Sequence, residues 1–344
     1  MIKILLLFFI GLVSTFILIS FSSDEGKLEP HVPGEFSLEA LLMQLGDEEL
    51  NHSIGTYDSA KAKLGEELII NGRTVYEGKL SKKISKHFVC TDCHNLTREF
   101  ENLASESPKD RLEYAKKNNL NYLQGSTFYG IYNRTSFFNG DYLKKYGEMT
   151  LNARDTLENA IQLCSKYCSS GRYLKDWELE AMMHYFKKND LKMSDFDFSD
   201  ADLEIIRDAG SNTEKENAEF AKKLKSKYRQ SYSATFLKPI QRDDRKYGEG
   251  GDVQNGEAIY EISCLSCHAY KRVTYLSLDK GKLSADMFWR NIRNYSDKSL
   301  YQIVRYGTHS KFGRRQYMPL FTKEKMSDEQ LNDLVAYIKQ LAGK

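Results

Sequence analysis

The sequence predicts an all-α protein: two helical units, each organised round one CxxCH motif, joined by a charged helical connector and preceded by a hydrophobic segment. Three observations predict it. The motifs CTDCH (Cys90, Cys93, His94) and CLSCH (Cys264, Cys267, His268) sit in the same order of surrounding elements. Apolar residues recur at helical spacing ahead of and behind both. The composition, with 22 Tyr and 18 Phe against only 5 Pro, is that of a packed protein and argues against disorder. A chain of 344 residues has room for two domains or three small ones. Its formal net charge of +2 gives no reason to expect a nucleic-acid partner.

Residues 1–21 carry Lys3 and then a mostly apolar run from Ile4 to Phe21. They read as a signal peptide or an uncleaved anchor and stand apart from the fold. A run of this length is at the lower edge of what spans a bilayer. No small-x-small cleavage site is evident and no cysteine follows directly, which favours an anchor through residues 4–21. Lys3 would hold the N-terminus in the cytoplasm and send the rest into the periplasm. Residues 22–60 mix acids, a Pro/Gly break and one short amphipathic pattern, FSLEALLMQL, and read as a polar tether.

The first unit, 61–190, opens on KAKLGEELII and reaches its CxxCH at Cys90. A long excursion follows, ending in an aromatic loop from Tyr122 to Tyr142, a candidate wall for a cofactor. TLENAIQLC and DWELEAMMHYF then close the unit as helices. Residues 191–250 are charged and helical in pattern, with an N-cap signal at Ser199 or Asp200, and read as a connector ended by Gly248, Gly250 and Gly251. The second unit, 251–344, runs from NGEAIYEISCLSCH through SADMFWRNIRN and KSLYQIVRYG to SDEQLNDLVAYIKQL. Ser327 with Gln330 predicts a capping box for that last helix. GEELII parallels GEAIYE, and WELEAMMHYF parallels LNDLVAYIKQL, so the units read as an internal duplication.

CxxCH is the attachment signal for c-type haem. Two thiols three residues apart form thioethers to the two vinyl groups, and the adjacent histidine is delivered to the iron. Zinc would need further Cys/His pairs at zinc spacing, and neither unit supplies one. Two covalently attached haems c are therefore expected, on Cys90, Cys93 and His94 and on Cys264, Cys267 and His268. For the second, Met318 followed by Pro319 offers a loop thioether ahead of the last helix, a position resembling the Met-ligand loop of small class I cytochromes c. His309 competes from the same loop. The first unit has CSKYC where Met318 would fall, so position favours a sulfur ligand from Cys164 or Cys168. A disulfide, a buried thiol or a redox pair are the alternatives. Met182, Met183 and His184 sit on an amphipathic helix, where core packing is the default.

The sequence resembles a dihaem cytochrome c built from two class I-type domains. Its first-domain segment is similar to thiosulfate dehydrogenases and to the cytochrome subunit of sulfur-oxidising multienzyme systems. The resemblance rests on Ile161, Cys164, Gly171 and Leu174, and it implies that Cys164 is the distal ligand of a His/Cys haem beside a His/Met haem. The family's Arg-Ile-Asn before that cysteine reads Ala160, Ile161, Gln162 here, and Cys168 has no counterpart in the pattern. Three functions are open on these grounds. The first is electron transfer with a small cytochrome or a terminal oxidase. The second is oxidation of a small sulfur anion, with Arg172, Lys166 and Arg154 as candidate cations and no catalytic group assigned. The third is a dihaem peroxidase, for which His184 or a displaced methionine would have to serve as a labile ligand.

Overall fold

The computed structural model describes residues 35–308 and 317–344. The hydrophobic segment 1–21 and His309 lie outside them. Among the described residues, regular structure is helical apart from one two-residue hairpin, Val75–Tyr76 with Lys79–Leu80. No helix among them is long and apolar enough to cross a membrane.

Each unit is built on one crossing of two helices. In the first, the helix Ser59–Asn71 starts at Asp58, whose carboxylate accepts from the backbone N–H groups of Ala60 (2.8 Å) and Lys61 (3.1 Å). It stops at Gly72, which takes the left-handed conformation (φ 68°). It packs against the helix Asp176–Lys188. In the second, Val253–Ile259 starts at Asp252 in the same way, widens into one π turn over Tyr260–Cys264, and packs on Asp328–Leu341. The Ser327–Gln330 capping box forms as the sequence predicts.

The crossings share a device. A Cβ on Gly65 would sit 2.1 Å from the Ala181 carbonyl oxygen, and one on Gly256 2.0 Å from that of Asp333. Both contacts are impossible, so only glycine lets these backbones approach. Gly65 and Gly256 are the glycines of GEELII and GEAIYE, and the two crossings are structurally parallel. Leu68, Ile69, Ile161, Met182 and Phe186 fill the first core; Ile259, Tyr301, Leu334, Val335 and Ile338 fill the second.

Two stretches do more than their sequence suggests. Within the segment read as a tether, Leu38–Gln44 is a helix that buries Leu38, Leu41 and Leu42 against Leu191, Phe220 and Leu224 of the connector. The connector thus has its own core, and the helix Glu214–Ser226 has one packed face. Within the long excursion, Ser107 caps the helix Pro108–Lys117. Its Leu112 and Ala115, with Tyr122, belong to the core of the second unit. Tyr122 also donates its backbone N–H to the Ile262 carbonyl (2.9 Å) and its hydroxyl to Gln330 Oε1 (3.0 Å).

Candidate functional site

Cys90, Cys93 and His94 open onto a cavity in the first unit, and much of its lining is aromatic. The Tyr122–Tyr142 loop supplies one wall through Gly125, Phe128, Phe137, Phe138 and Tyr142. His94 stacks on Phe128 with ring centres 4.4 Å apart. Its Nδ1 lies 2.6 Å from the Ser126 carbonyl oxygen. A carbonyl only accepts, so Nδ1 carries the proton and Nε2 is left with a free lone pair. Burial pulls this imidazole down to about 4, against the Ser126 bond, so it is neutral at ordinary pH. Gly125 lies so close that a Cβ there would come within 2.6 Å of the His94 ring. Burial also pushes the Cys90 thiol up to about 12.

Cys164 and Cys168 line this same cavity. The helix Leu157–Leu163 widens at Cys164–Cys168 into a single π turn, closed by the Ser169 N–H donating to the Cys164 carbonyl (2.9 Å). Gly171 pins the exit, since a Cβ there would lie 2.4 Å from the Ile84 carbonyl oxygen. Both cysteines are free thiols. They hydrogen-bond to each other: this contact, with burial, raises Cys164, while it lowers Cys168 against burial, helped by the Tyr146 hydroxyl 3.4 Å from its sulfur.

In the second unit, His268 repeats the arrangement of His94. Its Nδ1 donates to the Leu276 carbonyl (3.0 Å), again leaving Nε2 free. Met318 and Cys264 pack against one apolar cluster. Thr308 holds Met318 on both sides, its N–H donating to the Met318 carbonyl (2.9 Å) and its hydroxyl accepting from the Met318 N–H (2.8 Å). The fully buried Arg305 ties down the chain beyond, donating to the Met326 carbonyl (2.8 Å) and to Asp328 (2.6 Å). The residues flanking Met318 serve the other unit. Tyr317, Pro319 and Leu320 line the first cavity, and the Tyr317 hydroxyl donates to the Cys168 carbonyl (2.5 Å).

The two CxxCH loops touch. The Cys267 thiol lies 3.8 Å from the Asp92 carbonyl oxygen, inside the other motif. Beside them a buried charge network crosses between units. Arg111 donates to both oxygens of Glu99 (2.9 and 2.8 Å), and Lys325 of the second unit stands 3.8 Å from Glu99. Arg134 and Lys325 both lie over Tyr232, at 4.3 and 5.4 Å from the ring centre. Burial, then the neighbouring Arg111, pull the Lys325 ammonium down to about 7, with Glu99 opposing.

Other residues singled out from sequence fall elsewhere. Arg172 spends its donors on Glu178 (2.6 and 2.6 Å) and on the carbonyls of Lys82, Lys83 and Tyr173, pinning the chain after the π turn. Lys166 lies over the Tyr173 ring. His184 accepts from the Asp58 N–H (3.1 Å) at the start of a helix. The cations that do line the cavity are Arg134, Lys145 and Lys325. The sequence reading missed them, because they come from three separate segments with no local pattern.

Residues 251–338 match the family model described as cytochrome c oxidase, cbb3-type, subunit III. This segment is a c-type cytochrome domain. A c-type cytochrome domain implies electron transfer and covalently bound haem c. No curated protein and no solved structure matches the chain. The donor set fits the group. A thiol pair stands next to an imidazole whose Nδ1–H is committed to a carbonyl, an orientation typical of metal-binding histidines. At the first motif the same donor set faces an apolar, aromatic-walled cavity.

Proposed function

We propose that the chain is an exported dihaem c-type cytochrome that passes electrons between two sites and a redox partner. Cys90, Cys93 and His94 hold one haem, and Cys264, Cys267 and His268 the other. When bound, haem supplies a one-electron iron couple. The contact between the two CxxCH loops carries the reading: the attachment segments abut, so groups tethered to them would be close neighbours, and tunnelling between neighbours falls steeply with distance. The parallel bonding of His94 and His268 and the parallel glycine crossings support a duplicated plan. Met318 would serve as the distal ligand of the second site, where a thioether would raise the potential. A thiolate from Cys164, or from Cys168 whose thiol is the lowered one of the pair, would lower the potential of the first site and so favour electron flow from the first site to the second. The partner is a small cytochrome or a terminal oxidase, met in the periplasm, with residues 4–21 as the anchor.

Counting haems tests this. The intact holoprotein should carry two haem masses, and Cys90→Ala with Cys93→Ala, or Cys264→Ala with Cys267→Ala, should each remove one. A single haem in the wild type would defeat the proposal. Haem reduction by thiosulfate but not by a reduced small cytochrome would replace electron carriage with sulfur oxidation. That second reading is favoured by the two cysteines in the first cavity.

Distal ligation is tested separately by EPR of the oxidised protein. A low-spin thiolate-ligated species should vanish in Cys164→Ala and persist in Cys168→Ala. The reverse pattern would move the ligand four residues on, to the other end of the π turn, and persistence in both would rule out a thiolate.

A further inference from the structure

We propose that Arg134 and Lys325 form an anion site shared between the two units, one that takes a carboxylate or a small oxyanion at the first cavity. Both side chains are buried, with 4% and 7% of their surface exposed, and both line the cavity. Among the described residues their charge is only partly answered. The network holds three cations, Arg111, Arg134 and Lys325, and one carboxylate, Glu99, whose two oxygens are taken by Arg111. Among the described residues Arg134 donates to neutral groups, the Ser126 hydroxyl (3.0 Å) and the Thr127 carbonyl (2.5 Å), and it stands over and hydrogen-bonds Tyr232. Lys325 meets Glu99 only at 3.8 Å. Two further carboxylates have partners of their own: Glu324, which also favours the Lys325 ammonium, accepts from Thr235 (2.6 and 3.0 Å), and Glu106 accepts from the Ser233 N–H (3.1 Å).

Buried charge without a partner is costly, and cations placed together in an apolar cavity are offset when an anion joins them. The position narrows what the anion is. Ser126 links the two roles, since its carbonyl takes the His94 Nδ1–H and its hydroxyl takes Arg134. The site therefore adjoins the imidazole that would face a haem iron. Two sources have the right chemistry: the propionates of a macrocycle tethered to Cys90 and Cys93, or a diffusible oxyanion entering the same cavity. Because Lys325 belongs to the second unit, the first site is complete only when the units are docked. The propionate source rests on the dihaem reading above.

The variants are Arg134→Gln, Lys325→Met and Lys325→Arg, each first checked by mass for two haems. Resonance Raman reads the propionate bending band, and thiosulfate or phosphate is titrated while visible absorption and tyrosine fluorescence are followed. With propionates as the anion, the band of one haem shifts in Arg134→Gln and Lys325→Met, returns in Lys325→Arg, and added anions change nothing in the wild type. With a diffusible oxyanion, the wild type gives a saturable difference signal whose affinity falls roughly tenfold or more in Arg134→Gln and Lys325→Met, with the bands unmoved. Variants matching the wild type in both bands and anion response overturn the proposal. A wild type with one haem defeats the dihaem reading instead, and the fluorescence titration still decides the anion site.

Discussion

Glu99→Gln is expected to destabilise the protein by about 3–5 kcal/mol, the cost of breaking a buried ion pair from one side. The substitution keeps the shape of the side chain and removes its charge. Arg111, 1% exposed, would then face an amide, and Lys325 would lose the carboxylate 3.8 Å away. The bonds at stake are long-range in the chain. Arg111 also donates to the Leu123 carbonyl (2.7 Å), and Asn95, next to His94, donates to Glu99 (2.8 Å). Loss of Glu99 therefore loosens the first CxxCH loop and the docking of the units together. Denaturant unfolding of the holoprotein reads the effect as a lower midpoint.

The same group predicts a pH dependence with a definite sign. Burial alone would push the Glu99 carboxyl up. The Arg111 guanidinium, the Lys325 ammonium and the bonds from Arg111 and Asn95 overcome burial and hold it at about 2, below its ordinary 4.5. A depressed carboxyl contributes its full stability above its unfolded value and loses it as pH falls toward the folded one. Here the window is 4.5 down to about 2, and the gap is worth about 3 kcal/mol. Wild-type stability should fall through that window more steeply than that of Glu99→Gln, and the two curves should converge near its lower end. Parallel curves would show that Glu99 is not the group responsible.

What the sequence made legible was whatever chemistry requires to be contiguous. Thioether attachment needs two cysteines and a histidine in one short run, so both CxxCH motifs could be read directly. The capping box at Ser327 and Gln330 and the helix of FSLEALLMQL were legible for the same reason. The partners of these elements were not. Leu38–Gln44 shows its apolar face in the sequence, but nothing local says that Phe220 and Leu224 cover it. The helix Pro108–Lys117 carries a start signal in Ser107-Pro108. Its burial in the other unit's core is a tertiary fact. The cation pair is the extreme case, because Arg134 and Lys325 meet only over Tyr232, a residue from a third segment. The π turn was not legible: CSKYC placed two sulfurs in the segment, but nothing local said that a widening would bring both thiols to one cavity.

Gly256→Ala is expected to cost about 2–3 kcal/mol, although alanine is the better helix former by about 1 kcal/mol. The propensity gain applies to an isolated helix, and Gly256 is not in one. An added Cβ would lie 2.0 Å from the Asp333 oxygen, 2.5 Å from its carbonyl carbon and 2.9 Å from Tyr337 Cβ. The nearest two atoms are backbone, so no rotamer change relieves the clash, and the helices must move apart. That movement opens the contact on which Ile259, Leu334 and Ile338 pack, and it acts about two turns before Cys264. Gly65→Ala should behave alike, with Ala181 backbone at 2.1 and 2.6 Å, and it would disturb the core that backs the first cavity. Gly55→Ala is the control, since nothing lies within 4 Å of its Cβ position. Thermal unfolding followed by circular dichroism should show a drop on the order of 5 °C for each crossing glycine and none for the control. If only one crossing glycine responded, the two units would not share the device that makes them structurally parallel, and the duplication would rest on the motifs alone. Equal losses at both would tie the packing of each helix pair to the delivery of its histidine.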